Sequence, residues 1–298
     1  MADTLTLKWR TITWLSSLSM PDPKSTTLAK SRAWMSQSSK GPSFLVGTHR
    51  KLASVRDEQI AGVKVRRYVP EGVRPGVLVY FHGGGFVLGD LDSHESPARG
   101  LANATGREVV AVDYRLAPEH RYPAAVDDCL AVTKALAAQH RVVVCGDSAG
   151  GNLAAVVANR CAAEGVSLVA QVLVYPMADG VTPRESHTQF ATGFFLTHAS
   201  IRVFLDTYVP ELPRRSEPDC SPFHAPSLKG VVPGYVLLAG CDVLRDEGRA
   251  YANKLQSDGV ETVLDEVPGV IHGFFSLQGL SEGKAATKRV AQWLAPRW

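Results

Sequence analysis

A serine set among small residues can attack a carbonyl carbon if a base removes its proton and N–H donors receive the resulting oxyanion. Gly146-Asp147-Ser148-Ala149-Gly150-Gly151 fits G-x-S-x-G, a pattern that puts serine on a tight strand-to-helix turn where small neighbours relieve crowding. Chance alone yields such a pentapeptide in about one chain in ten of this length, so context decides. The apolar run Val142-Val143-Val144-Cys145 leads in, and the alanine-rich Asn152-Leu153-Ala154-Ala155-Val156-Val157 leads out. The turn therefore falls at a helix N-terminus, where backbone N–H groups lack partners. A phosphate-binding glycine turn is the rival reading, and it lacks the lysine of a P-loop.

A second glycine cluster, Phe81-His82-Gly83-Gly84-Gly85-Phe86, follows the apolar run 76–80. Three glycines let a backbone turn its N–H groups into one cavity, as a tetrahedral intermediate requires. Gly83 and Gly84 are expected to donate together with Ala149. His82 and Gly85 brace the loop, and Asp147 belongs to the serine motif. A dinucleotide fingerprint is the alternative; it fails because position 88 is leucine and the last glycine falls at Gly89.

A nucleophilic serine needs a base and an acid, which in this strand–turn–helix context follow it in the order Asp or Glu, then His. Four of the nine histidines follow Ser148: His187, His198, His224 and His272. His272 lies after the strand-like run 261–267, and Asp242 lies after the run 235–241. A spacing of 30 residues accommodates one helix and one strand, which returns the chain to the same sheet edge. Asp179, after the run ending at Tyr175, is the rival acid.

Short β-branched runs at 63–69, 76–81, 108–113, 141–145, 168–175, 234–239 and 261–267 read as strands. Several are almost wholly apolar, as strands buried on both faces are. Helical patterns at 123–138, 149–164, 247–258 and 282–294 alternate with them. This alternation predicts an α/β chain with a mostly parallel central sheet flanked by helices. Residues 178–222 break the rhythm, with a helix-like run at 200–208 among Pro, Gly, Thr and Phe. An insertion there is expected to form a helical cap. The expected organisation is 1–50 as the N-terminal part of the cap, 51–177 as the first part of the core, 178–222 as the cap insertion and 223–298 as the rest of the core.

The bulk properties exclude several classes. The 298 residues are 45% hydrophobic and 20% charged, with a net charge of +3. Basic residues cluster no further than pairs such as Arg66-Arg67 and Arg214-Arg215, too sparse for a nucleic-acid partner. No apolar run reaches the roughly 18 residues of a membrane span, and positions 1–20 lack the apolar core of a signal peptide. Five cysteines without a C-x-x-C pair suggest neither a disulfide framework nor a zinc site. A cytoplasmic protein without metal or cofactor is expected, with no membrane partner. A homodimer through an edge strand such as 261–267 is a further expectation.

Taken together, the ordered motifs resemble the hormone-sensitive lipase family of esterases, in its G-D-S-A-G branch, over roughly residues 60–298. His82-Gly83-Gly84-Gly85, Asp113-Tyr114-Arg115-Leu116-Ala117-Pro118-Glu119, Ser221-Pro222, Asp242-Val243-Leu244-Arg245-Asp246-Glu247-Gly248 and His272-Gly273-Phe274 all match that family's signatures. Val270 and Ile271 stand where relatives often carry methionine, and residues 1–50 match poorly. The resemblance implies an α/β-hydrolase fold and a carboxylic ester hydrolase for short or medium acyl esters. Ser148 would be the nucleophile, His272 the base and Asp242 the supporting acid. Phe86, Leu88, Phe194 and Phe195 are expected near the substrate, with Phe190, Phe204 and Tyr208 adding apolar area from the cap. Two other functions fit the same fold: a non-catalytic small-molecule receptor, as in the plant gibberellin receptors that resemble this family without its histidine, and an amide or peptide hydrolase.

Overall fold

The computed structural model describes residues 4–19, 26–38, 40–47 and 51–298. Positions 1–3, 20–25, 39 and 48–50 of the expected N-terminal cap segment lie outside the described residues. In chain order the elements are α1 (Leu7–Ser19), α2 (Leu28–Ser38), α3 (Ser43–Val46), β1 (Ser54–Ile60), β2 (Val63–Val69), β3 (Arg74–Phe81), α4 (Glu95–Thr105), β4 (Arg107–Val112), α5 (Ala124–Ala137), β5 (Val142–Asp147) and α6 (Ala149–Ala163). They continue with β6 (Ala170–Val174), α7 (Glu185–Gln189), α8 (His198–Tyr208), β7 (Gly234–Cys241), α9 (Arg245–Ser257), β8 (Thr262–Ile271) and α10 (Ser281–Leu294).

The strands form one sheet in the order β1-β2-β4-β3-β5-β6-β7-β8. β1–β2 and β2–β4 pair antiparallel, and every other neighbour is parallel. Side-chain alternation divides each central strand between two cores. Val77, Val79 and Phe81 of β3 pack with α5, α6 and α9, whereas Leu78 and Tyr80 pack with α4 and α10. The residues of β5, β6 and β7 are all buried, which accounts for their nearly continuous apolar sequences. α6 is buried from Ala149 to Ala158, and its alanines and glycines let it lie close against the sheet.

Within residues 51–177, two elements were not expected from the sequence pattern. β1 is a mostly exposed edge strand with the sequence SVRDEQI, tied to β2 by ion pairs from Asp57 to Arg66 and Glu58 to Arg67. Its charges hide the strand signal. α4 contains Pro97 and Gly100, both poor helix formers; Pro97 is tolerated because it sits in the first turn, where an N–H is not needed. Three strands also run further than expected, to Asp147, Cys241 and Ile271.

The parallel strands share a carboxyl edge, where ligands of open α/β sheets bind. β3 delivers the glycine loop there, β5 delivers Ser148, β7 delivers Asp242 and β8 delivers His272. Residues 178–222 leave the same edge after β6. Among the described residues no helix is long and apolar enough to cross a membrane.

Candidate active site

Ser148 occupies the turn between β5 and α6 with φ +57° and ψ −119°, a backbone region that costs a non-glycine residue energy. The neighbours enforce it. A Cβ on Gly146 would lie 2.1 Å from the Gly150 carbonyl oxygen, and one on Gly150 would lie 2.0 Å from that of Phe81. The Ser148 N–H donates to Val174 O at 2.8 Å, and its carbonyl accepts from Asn152 N at 3.0 Å. The serine is thus pinned from β6 and α6 together.

His272 Nε2 lies 3.0 Å from Ser148 Oγ, and its Nδ1 lies 2.7 Å from Asp242 Oδ2. Asp242 accepts the Leu244 N–H on its other oxygen at 3.0 Å. Exposures of 8% for Ser148, 7% for His272 and 1% for Asp242 remove most competing water. Tyr175 backs the imidazole, with ring centroids 4.4 Å apart, and Phe274 and Phe275 anchor the following turn in the core. His272 begins where β8 ends, so the strand itself sets the ring's position.

Asp179 is engaged elsewhere. It receives the Val181 and Thr182 N–H groups, the Arg184 guanidinium at 2.7 Å and His224 Nε2 at 3.0 Å. Burial raises its pKa, and these donors outweigh burial, holding it at about 2. Nearby, Glu247 accepts the Ala178 N–H at 2.8 Å and faces His187 Nε2 at 3.2 Å. Burial pushes this carboxyl up to about 7. The two acids fasten the start of the 178–222 segment.

In the glycine loop one expectation changes. The Gly83 N–H donates to Asp147 Oδ1 at 3.1 Å, so it is not free to meet a substrate oxygen. Among the described residues no acceptor faces the N–H groups of Gly84, Gly85 or Ala149. The available donors are therefore shifted one residue along the loop. His82 sits behind it, with Nδ1 2.8 Å from Gly83 O and its ring stacked on Tyr114 at 4.3 Å. Burial, with His94 nearby, lowers the His82 pKa to about 4, so the ring is neutral. The Tyr114 hydroxyl donates to His82 O at 2.7 Å, giving the Asp113–Glu119 signature a loop-bracing contact.

A cavity of about 790 Å³ opens over Ser148 and His272. Leu88 and Phe195 line it, as does Phe204 from α8, while α2 contributes Trp34 and Met35. Phe86 and Phe194 do not line it. Phe86 has φ +63° and stacks on Tyr208 at 4.1 Å, inside the core. Phe194 packs edge-on against Phe190 at 4.9 Å, and Phe190 is fully buried beside Arg245. Side-chain directions in irregular loops follow no period that a sequence can reveal. Trp34 and Met35 were missed because α2 has no clear amphipathic pattern.

A family profile described as alpha/beta hydrolase fold matches residues 78–276. An ethyl acetate hydrolase from Pseudomonas putida is 37% identical over 233 residues, 73% of this chain and 73% of its own. The carboxylesterase NlhH of Mycobacterium tuberculosis is 38% identical over 282 residues, 87% of this chain and 88% of its own. The chain belongs to the hormone-sensitive-lipase-like esterase family of α/β-hydrolases. Among solved structures, an ester hydrolase from the metagenome of Lake Arreo, complexed with a bipyridine phosphonate derivative, superposes with a TM-score of 0.92. It is 36% identical, with 98% of this chain and 99% of that one covered. The family's α/β-hydrolase fold is the eight-stranded, mostly parallel sheet described above.

Proposed function

We propose that this protein hydrolyses carboxylic esters of short to medium acyl chain through an acyl-enzyme on Ser148. The observation that carries the reading is the continuous contact from Asp242 through His272 to Ser148, 2.7 and 3.0 Å, at the floor of an apolar cavity. His272 Nε2 takes the Ser148 proton as Oγ attacks the ester carbonyl. Asp242 holds the tautomer with hydrogen on Nδ1 and stabilises the imidazolium that forms. The N–H groups of Gly84, Gly85 and Ala149 receive the oxyanion, a contribution of about 10²–10³ in rate per donor in comparable sites. The imidazolium then protonates the leaving alkoxide, and a water attacks the acyl-enzyme by the same path in reverse.

The cavity volume falls within the range of about 300–1,000 Å³ usual for small-molecule sites. Each methylene buried there contributes about 0.8 kcal/mol until the space is full, after which extra chain is strained or stays in water. The test is kcat/KM across p-nitrophenyl esters from acetate to palmitate. A maximum at short or medium chains, with a burst of one nitrophenol per chain where deacylation is slow, supports the reading. A maximum at palmitate with activation at an oil–water interface overturns the acyl-chain preference, and binding without any turnover supports a receptor instead. The five cysteines are free and buried, which suits a reducing cytoplasm. β8 is an edge strand, so a homodimer through it remains part of the proposal, readable from the molar mass in solution.

A further inference from the structure

Asp147 precedes the nucleophile, yet its side chain serves the opposite loop. Asp147 is 3% exposed, and its carboxylate touches three separate segments. Oδ1 accepts the Tyr80 hydroxyl at 2.6 Å, from β3, and the Gly83 N–H at 3.1 Å, from the glycine loop. Oδ2 lies 3.5 Å from His94 Nε2, at the start of α4. His94 is itself 5% exposed and is fixed through Nδ1, 2.9 Å from Ser93 Oγ. The fit leaves no slack, since a Cβ on Gly83 would lie 2.6 Å from Asp147 Oδ2.

The arrangement is electrically expensive. Burial raises the Asp147 pKa, but His94 and the Tyr80 hydroxyl outweigh it and leave the pKa lowered, so the side chain stays a carboxylate. A buried carboxylate beside the place where an oxyanion forms repels that oxyanion. What the carboxylate supplies is orientation: it draws the Gly83 N–H to itself and fixes the His82–Gly83 peptide, next to the one that carries the Gly84 N–H.

We propose that Asp147, steadied by His94, is a positioning residue that aims the Gly84 and Gly85 N–H groups at the developing oxyanion. The inference rests on the ester-hydrolase reading above and adds to it a residue that acts through the glycine loop. Without Asp147 the His82–Gly83 peptide keeps the Tyr114 hydroxyl on its carbonyl but loses the acceptor on its N–H, so it can tilt and shift the next two N–H groups with it. A displacement of about 1 Å at such donors can cost roughly 10²-fold in rate.

The test compares Asp147→Ala, Asp147→Asn and His94→Ala with the wild-type chain on one p-nitrophenyl ester. Concentrations are set by active-site titration, so misfolded protein does not count. Asp147→Ala should lose about 10- to 100-fold in kcat with KM within about twofold, because donors aimed at the oxyanion act mainly in the transition state. Its inhibition constant for an alkylboronic acid, which forms a tetrahedral adduct on serine, should rise by a similar factor. Asp147→Asn keeps an oxygen for Gly83 N–H and should recover to within about fivefold of wild type. His94→Ala should fall between the two, and it tests the pair even if Asp147→Ala does not fold. Unchanged kcat in titrated Asp147→Ala or His94→Ala overturns the inference. So does a loss that appears only in KM, or one that Asn fails to rescue. A wild-type chain that turns over no ester overturns the underlying reading, and this inference with it.

Discussion

The floor and the roof of the cavity are held by different forces. Around Ser148 the constraints are backbone against backbone: glycines that admit no Cβ, a serine N–H bonded across to β6, and a histidine set at the end of a strand. Over the same cavity α1 and α2 are held by side chains, with Trp9 of α1 fully buried in the core. α1 is tied to Glu282 by Lys8 and by Trp9 Nε1, the latter at 3.0 Å. α2 is tied by Arg32, which reaches Val87 O, Ala117 O and Glu119. Leu7, Trp14 and Phe44 remain 80%, 61% and 69% exposed. Exposed ion pairs contribute about 0–1 kcal/mol each, so apart from the buried Trp9 the roof can change at little cost to stability. Changes in the floor should alter the rate of chemistry for every substrate, and changes in the roof should alter which substrate is preferred.

The largest expected effect separates the two buried acids. Asp242→Asn should lower kcat by about 10⁴, the scale seen when the acid of a serine triad is neutralised and the imidazole takes the wrong tautomer. Asp179→Asn should leave the chemical step nearly intact, because Asp179 bonds to Arg184, His224 and its own loop. Steady-state kinetics of both variants checks the ranking, and the reverse order would make Asp179 the acid.

A smaller effect is expected from the roof. Trp34 lines the cavity from α2, far in sequence from Ser148, Asp242 and His272. Trp34→Ala should reduce kcat/KM for hexanoate about tenfold, equivalent to about 1.4 kcal/mol of lost apolar contact, while acetate changes less than about twofold. An equal loss on both esters would show that the roof also orders the catalytic groups, and the division between floor and roof would fail.

The sequence made the floor legible because its chemistry needs fixed residue types at fixed places. Ser148 lies between glycines on a strand–helix turn, Asp242 and His272 end successive strands, and these demands leave patterns. The alternating apolar runs likewise revealed seven of the strands, since two-sided burial tolerates few polar residues. What stayed hidden depended on contacts between distant segments. β1 reads as a charged loop until Arg66 and Arg67 neutralise it. Gly83 seemed as good a donor as Gly84 until Asp147 was seen to take its N–H. Phe86 and Phe195 look equivalent in sequence, but both have positive φ, at 63° and 75°. One turns into the core and the other into the cavity for reasons set by Tyr208 and Gly273 rather than by any local pattern.

The most direct test of the account is where a covalent trap lands. The chain is exposed briefly to diethyl p-nitrophenyl phosphate, and intact mass and peptide mapping then locate the label. The account predicts one diethylphosphoryl group per chain, on Ser148, with esterase activity lost in proportion. Ser148→Ala should take up no label and show no turnover above about 10³–10⁴ times the uncatalysed rate. A label on another residue, or near-normal ester hydrolysis by Ser148→Ala, would contradict it.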